Sequence, residues 1–187
     1  MKKYKLTTET LQFAGRTLHR IKAVKDFDSI KAGEFGGWIE NEKNLSQDDN
    51  AWIYGDAMVF DNAKILGNAE VYGNAEVYDY AKVYGNAEVY GNANISYYAK
   101  VYGNAVIKGD AIVHDAVDYI VFKNFWSSGR YFTWTSSNNK WSVGCFYGTG
   151  EELIKKAYAD SEKSGREYER VVRYVESILA DEKKEKS

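Results

Sequence analysis

Two histidines, one cysteine and a run of tryptophans around Arg130 are the residues of this sequence that could carry chemistry. His19 or His114 could act as the general base of an acyl transfer, which needs an imidazole within reach of the acceptor's hydroxyl or amine. His114 stands in a repeat position that tyrosine fills in most other repeats, which suits a surface or interface side chain equally well. A zinc centre of three imidazoles needs more histidines than one chain holds, so no metal is expected within it. No glycine–lysine phosphate loop precedes a helix. Cys145, beside Gly144, has no His–Asp arrangement to activate it and reads as a small buried residue. The segment FWSSGRYFTW gathers Trp126, Ser128, Arg130 and Trp134, with Trp141 close behind. Arginine and tryptophan in one polar loop suit a protein partner or an anionic ligand, and the same groups could clamp a nucleotide. A small aromatic core beneath a β-meander accounts for them without any partner.

Most of the chain is organised by a repeat rather than by these residues. From Ile53 to Asp118 run eleven hexads of the type VYGNAE, without insertion or deletion. Each begins with Val or Ile, and the fifth position is Ala from Ala57 to Ala111, then Val117. Six residues suit one flat side of a triangular coil, with Ala and Val/Ile inward, the residue between them outward, and Gly-Asn at the corner. Glycine and asparagine both tolerate positive φ there.

A second period of eighteen residues supports three sides per coil. The corner at 61, 79 and 97 reads Asp-Asn, Asp-Tyr and Tyr-Tyr, whereas the other corners from Gly55 to Gly109 keep glycine. Lys64, Lys82 and Lys100 then fall on one side, and Glu70 and Glu88 on the next. Like charges stacked at the rung spacing of about 4.8 Å are mildly unfavourable in water, so a complementary surface would relieve them. A second protomer could supply it, Lys side to Glu side, while plain solubility explains the columns as well. Tyrosines form columns too. Tyr80, Tyr97 and Tyr98 at the irregular corner suggest a docking ridge, with Tyr80 and Tyr98 as candidate binding residues. The third side carries Met58 and Phe60 at one level and Ile112 and His114 at another, the candidate surface for helix packing or oligomerisation.

The flanks are not repetitive. Residues 1–37 read as an N-terminal cap with short strands at Tyr4–Leu6 and Thr17–Val24, and residues 38–118 as the β-helix. Gln47 occupies the aliphatic position before Ile53, and Phe27, Phe35, Trp38 and Trp52 are candidate plugs over the first coil. Residues 119–182 read as three short strands followed by two helices. The first helix is opened by the capping box Thr149–Glu152 and ends near Lys163, where Gly165 interrupts. The second carries the stripe Tyr168, Val171, Val172, Val175, Ile178, Leu179 to about Asp181. Residues 183–187 read as a disordered tail.

A formal charge of −2 gives no reason to expect nucleic acid or an anionic membrane. The single cysteine excludes an intrachain disulfide, and no apolar run is long enough to span a bilayer, so a cytoplasmic protein is expected. The repeat resembles the hexapeptide-repeat proteins with left-handed parallel β-helices, the superfamily of trimeric acyltransferases. The segment TLHRIKAVKDFDSIKAGEFGGWIENEKNLSQDDNAWIYGDA looks like that of YdcK-type hexapeptide-repeat proteins, and CFYGTGEELIKKAYADSEKSGREYERVVRYVESI is similar to a tail found after such repeats in phage-encoded members. The resemblance implies an all-β, single-stranded left-handed parallel β-helix with a small C-terminal α+β unit, forming a homo-oligomer, trimer before dimer. Joined to the residue readings, it leads to a non-catalytic binding or inhibitor protein without a cofactor. Its partner would be a host protein, as for an inhibitor of bacterial defence, or a small anionic, nucleotide-type ligand. An acyltransferase-like enzyme with a site between subunits, and a structural part of a larger particle, are the alternatives.

Overall fold

The computed structural model describes residues 2–185, which form two compact units, 2–119 with Thr135–Asn138 and Ile120–Trp134 with 139–185. The first is a three-sided parallel β-solenoid of about four turns. After β1 (Tyr4–Phe13), β2 (Arg16–Ala23) and β3 (Phe35–Ile39) come eleven two-residue strands, β4 (Trp52–Ile53) to β14 (Ile112–Val113). Each strand pairs with the one three strands further along, so residues eighteen apart lie one above the other: Lys64 on Lys82, Lys82 on Lys100, Glu70 on Glu88. The alanines from Ala57 to Ala111 and the Val or Ile that begins each hexad fill the interior, with exposures of 0–1 %. Val117, expected inward in the last hexad, is instead 78 % exposed, because the chain leaves the coil in a 3-10 turn at Ala116–Asp118. Small Ala beside Val or Ile is what a prism this narrow can close over.

Corners need a left-handed residue. Gly91 has φ +77°, and a Cβ there would stand 2.8 Å from the backbone nitrogen of Gly109 on the next rung. The corner without glycine adopts the same conformation, at Asp61 (φ 55°), Asp79 (φ 56°) and Tyr97 (φ 54°). A carboxylate one rung below steadies it: the Asp61 N–H donates to Glu40 at 2.7 Å and the Tyr97 N–H to Asp79 at 3.0 Å. For a residue as bulky as Tyr97 this conformation is a true outlier.

The first coil is longer than the regular ones. Leu45 bridges to Ile65, twenty residues on, whereas Ile53 pairs with Val71 at eighteen. Two extra residues therefore sit between Leu45 and Ile53, and Leu45, not Gln47, takes the aliphatic position. Gln47 instead uses its amide to accept from the Lys3 and Tyr4 N–H groups. The Tyr4 hydroxyl donates to the Leu45 carbonyl of this coil at 2.8 Å, and Trp52 is buried against the rings of Tyr4 and Phe27. Of the four expected plugs, Phe35 is exposed and Trp38 faces elsewhere. Lys3 is also enclosed, donating to the Asp49 and Ala51 carbonyls, and burial lowers its pKa to about 8.

The N-terminal strands are longer than the sequence suggests. β1 and β2 form an antiparallel hairpin turned at Ala14-Gly15, both at positive φ, and β2 pairs with β3. Leu11, Phe13 and Leu18 of the hairpin pack over Trp38, Met58, Phe60 and Tyr78 on the outer face of the third side. Arg16 fixes the tip through Asp61 at 2.6 Å. Phe60 is therefore 4 % exposed. Met58 and Phe60 are covered by the chain's own hairpin and do not offer a surface to helices or a second subunit, contrary to the sequence expectation.

The second unit contains a four-stranded sheet of β15 (Tyr119–Lys123), β16 (Tyr131–Thr135), β17 (Lys140–Val143) and β18 (Phe146–Gly148), one strand more than expected. α1 (Gly150–Asp160) starts at the Thr149–Glu152 capping box, and α2 spans Glu162–Glu185. The break between them is at Ser161, whose extended backbone (φ −172°) ends the first helix, and not at Gly165. Gly165 lies within α2 because a Cβ there would come 2.2 Å from the Tyr158 ring. Tyr168, Val172 and Val175 of the expected stripe are buried with Leu153 and Ile154 of α1 and with Phe132 and Trp141 of the sheet. α2 continues through 183–185, where an unstructured tail was expected, as the helix-favouring Glu/Lys composition allows; residues 186–187 lie outside the described residues. Among the described residues no helix is long and apolar enough to cross a membrane.

Candidate functional site

Strand periodicity builds the most distinctive surface of the first unit. On the side with inward Ile65, Val83 and Val101, the outward residues of two consecutive rungs are Tyr80-Lys82-Tyr84 and Tyr98-Lys100-Tyr102, above Asn62-Lys64-Leu66. The Lys82 and Lys100 ammonium groups therefore stand between two pairs of tyrosines, and Lys64 stands between Asn62 and Leu66. Tyr80 stacks on Tyr98 at 5.1 Å and 10°, and Tyr84 on Tyr102 at 5.3 Å and 11°. Lys43 joins from below, donating to Asn62 at 3.0 Å. The lysines and the Tyr80–Tyr98 ladder line a groove of about 590 Å³. Lys64, Lys82 and Lys100 are exposed, and among the described residues none has an acidic partner within 4.0 Å.

The neighbouring side treats its charges differently. Glu70 and Glu88 accept from Tyr54 and Tyr72 hydroxyls, each at 3.0 Å. Burial, then the adjacent Glu70, raises the Tyr54 pKa from 10.0 to about 12, and burial beside Glu88 raises Tyr72 further. The corner next to the Glu column is an amide ladder, Asn50 to Asn68 at 3.3 Å and Asn68 to Asn86 at 3.0 Å.

The residues singled out from sequence separate into three groups. Tyr80 and Tyr98 flank the lysine groove and are 53 % and 72 % exposed. Trp134 and Trp141 are buried in the core of the second unit, Trp134 donating to Asn139 at 2.9 Å, so they cannot contact a partner from that fold. Their period-two spacing in β16 and β17 pointed inward. Trp126 is exposed in a loop that Asn124 organises by accepting from the Trp126 and Ser127 N–H groups. It lines a separate groove of about 460 Å³ with Phe122, Arg170, Val171 and Tyr174. Ser128 accepts from the Arg130 N–H at 3.3 Å, while the Arg130 side chain lies near Gly144. The structure thus does not bring Trp126, Arg130, Trp134 and Trp141 into one site. Cys145 is exposed in the turn after Gly144, contrary to the buried reading.

Ile112 and His114 remain exposed on the third side. The Ile112 N–H donates to Ser137 at 2.8 Å, and the His114 ring lies 4.9 Å from the strained Tyr97. His19 is half-buried on β2, with Nδ1 3.4 Å from the Thr7 carbonyl. The two imidazoles thus stand on separate elements of the first unit. Among the described residues no group of three or more His, Cys, Asp or Glu side chains is arranged to hold a metal ion.

The family described as YdcK Beta solenoid repeat matches residues 99–115. Those residues contain the upper Lys100-Tyr102 rung and the last coil. The chain is also 39 % identical, over 77 residues, to a protein named uncharacterized acetyltransferase YdcK from Escherichia coli (strain K12). That match covers 36 % of this chain and 24 % of the relative, so the chain spans about a quarter of the length of the curated relative it matches. The likeness to YdcK-type proteins is one of solenoid repeat.

Proposed function

We propose that this chain is a non-catalytic binding protein that holds an anionic partner on the lysine–tyrosine side of its solenoid. One observation carries the reading: three lysines in a column, none with an acidic partner within 4.0 Å among the described residues, the upper two, Lys82 and Lys100, set between stacked tyrosine pairs. Alignment costs like-charge repulsion that scattered charges would avoid, and an anionic partner on this face would relieve it. A rigid rung spacing of about 4.8 Å holds them ready without ordering entropy at the moment of binding. The resemblance of the flanks to phage-encoded chains supports a phage or prophage setting in a host cytoplasm, with a host protein or a small anionic ligand as the partner. Homo-oligomerisation as a trimer or dimer belongs to the same proposal, and the Glu column of a second copy is a chemically suitable neighbour.

Titration calorimetry with a panel of phosphate compounds tests this reading. The wild-type chain is expected to bind at least one of them at physiological ionic strength. A chain with Lys64→Gln, Lys82→Gln and Lys100→Gln together is expected to lose that binding while keeping its circular dichroism spectrum. Unchanged affinity in the triple variant would remove the basis of the reading. The acetyltransferase in the relative's name favours a second reading, acyl transfer at a site between subunits. Acetyl-CoA turnover that is lost in His114→Ala would support it in place of the first.

A further inference from the structure

The tyrosine ladder beside the lysines is a single pair, Tyr80 and Tyr98, and its upper member is the more open, 72 % exposed against 53 %. Tyr80 lies beneath Tyr98 at 5.1 Å, and among the described residues no other ring is stacked on Tyr98. The corner that carries it is held at an energetic cost, since Tyr97 keeps a φ of 54° that non-glycine residues avoid. From the foot of this open ring the column Lys100, Lys82, Lys64 runs down the groove, with Lys43 at its lower end. We propose that the groove takes a nucleoside oligophosphate, its base stacked on Tyr98 and its phosphates on Lys100, Lys82 and Lys64. This rests on the anion-binding reading of the same face and names the class of anion.

Each part of such a ligand meets a feature of the groove. Phosphate oxygens are strong acceptors for several ammonium groups at once, and lysines about 4.8 Å apart in line can share neighbouring phosphates. A base has a π-face of any sequence identity, and an uncovered tyrosine is a suitable surface for it. A bare polyphosphate would engage the lysines and leave Tyr98 idle. A second copy of this chain could present Glu70 and Glu88 at the same rung spacing, but those carboxylates already accept from Tyr54 and Tyr72. The nucleoside ligand uses both the charge column and the open ring, so it is the better fit.

Calorimetry on the full chain with ATP, GTP, tripolyphosphate and adenosine tests the assignment. The triphosphates should bind about 5- to 150-fold more tightly than tripolyphosphate, the range set by one base–aromatic stack. Tyr98→Ala should erase that advantage and leave tripolyphosphate affinity unchanged, whereas Lys82→Gln should weaken both ligands. Both side chains are exposed, and far-ultraviolet dichroism with a melting curve shows whether the variants are folded. Equal affinity for ATP and tripolyphosphate, or no effect of Tyr98→Ala, overturns the nucleoside assignment and spares the anion-binding reading. Absence of heat with every phosphate compound overturns both. Light scattering in which the wild type is oligomeric and Lys82→Gln monomeric, without nucleotide binding, assigns the face to a second copy and overturns the proposal.

Discussion

Two adjacent sides of one prism carry charge columns made by the same eighteen-residue period, and the charges meet opposite fates. On one side each glutamate is matched by a tyrosine hydroxyl of its own sheet, Tyr54 to Glu70 and Tyr72 to Glu88. Tyrosine rings stack on both sides, Tyr72 on Tyr90 as well as Tyr80 on Tyr98 and Tyr84 on Tyr102, but on the second side Lys64, Lys82 and Lys100 have no acidic partner within 4.0 Å among the described residues. Chemistry explains the difference in part. A phenol hydroxyl is a good donor to a carboxylate and has no comparable way to neutralise an ammonium group. The lesson is that a repeat can satisfy one face internally while keeping its neighbour open to a partner.

Both faces stand on one shared core, and the largest expected effect comes from that core. Ile65 is fully buried directly behind the lysine column. Ile65→Ala removes buried methylenes from an interior too narrow to collapse, and should cost about 2–5 kcal/mol of stability. Chemical denaturation should show one cooperative loss in the first unit, with anion binding and the tyrosine environment of the glutamate side lost at the same denaturant concentration. Loss of anion binding at lower denaturant than the tyrosine signal would mean that the two sides are not one cooperative body.

Much of this contrast can be read from the residues alone. Lys64, Lys82 and Lys100 fall in a column as soon as the eighteen-residue period is seen, and the strand alternation that sends Ala81 and Val83 inward sends Tyr80, Lys82 and Tyr84 outward together. The Tyr-Lys-Tyr rung was therefore available in the sequence, hidden only because Tyr80 belongs to a corner and Tyr84 to a flat side. Other features had no local signal. The hairpin that covers Phe60 is a tertiary event between segments more than forty residues apart, shown by Arg16 meeting Asp61. The lengthened first coil displaced Gln47 by two residues because a period cannot announce its own interruption. In the second unit the misplaced helix break at Gly165 followed from reading glycine as a breaker, when the packing of Tyr158 required the missing side chain.

A smaller effect distinguishes the two faces by their hydroxyls. Tyr72→Phe removes a half-buried hydrogen bond to Glu88 and should cost about 0.5–1.5 kcal/mol. Tyr98→Phe, on the lysine side, removes an exposed hydroxyl and should change stability little. Alkaline titration adds a check with a definite sign. The Tyr54 pKa is raised in the fold from 10.0 to about 12, so the folded state holds its proton more firmly than the unfolded chain. Its contribution is fully present below about pH 10 and is lost as pH rises towards 12. Denaturation midpoints across that window should fall less steeply in Tyr54→Phe than in the wild type. Equal slopes would mean that the glutamate side gains nothing from its tyrosines.

The smallest effect bears most directly on why the lysines are aligned. Lys82 faces Lys64 below and Lys100 above across parallel strands, and like charges directly opposed are destabilising. Removing the middle charge in Lys82→Gln relieves both repulsions at once, so the variant should gain about 0.2–1 kcal/mol at low ionic strength. The gain should shrink towards zero near 1 M salt, where screening acts over about 3 Å, shorter than the rung spacing. Glu88→Gln should show no such gain, because relief from Glu70 is offset by the weakened bond to Tyr72. A lysine whose loss improves the fold yet weakens ligand binding is one kept for the ligand, the usual direction of a trade between stability and function. Equal responses of Lys82→Gln and Glu88→Gln to salt would place both columns in the same structural role and remove the distinction between the two sides.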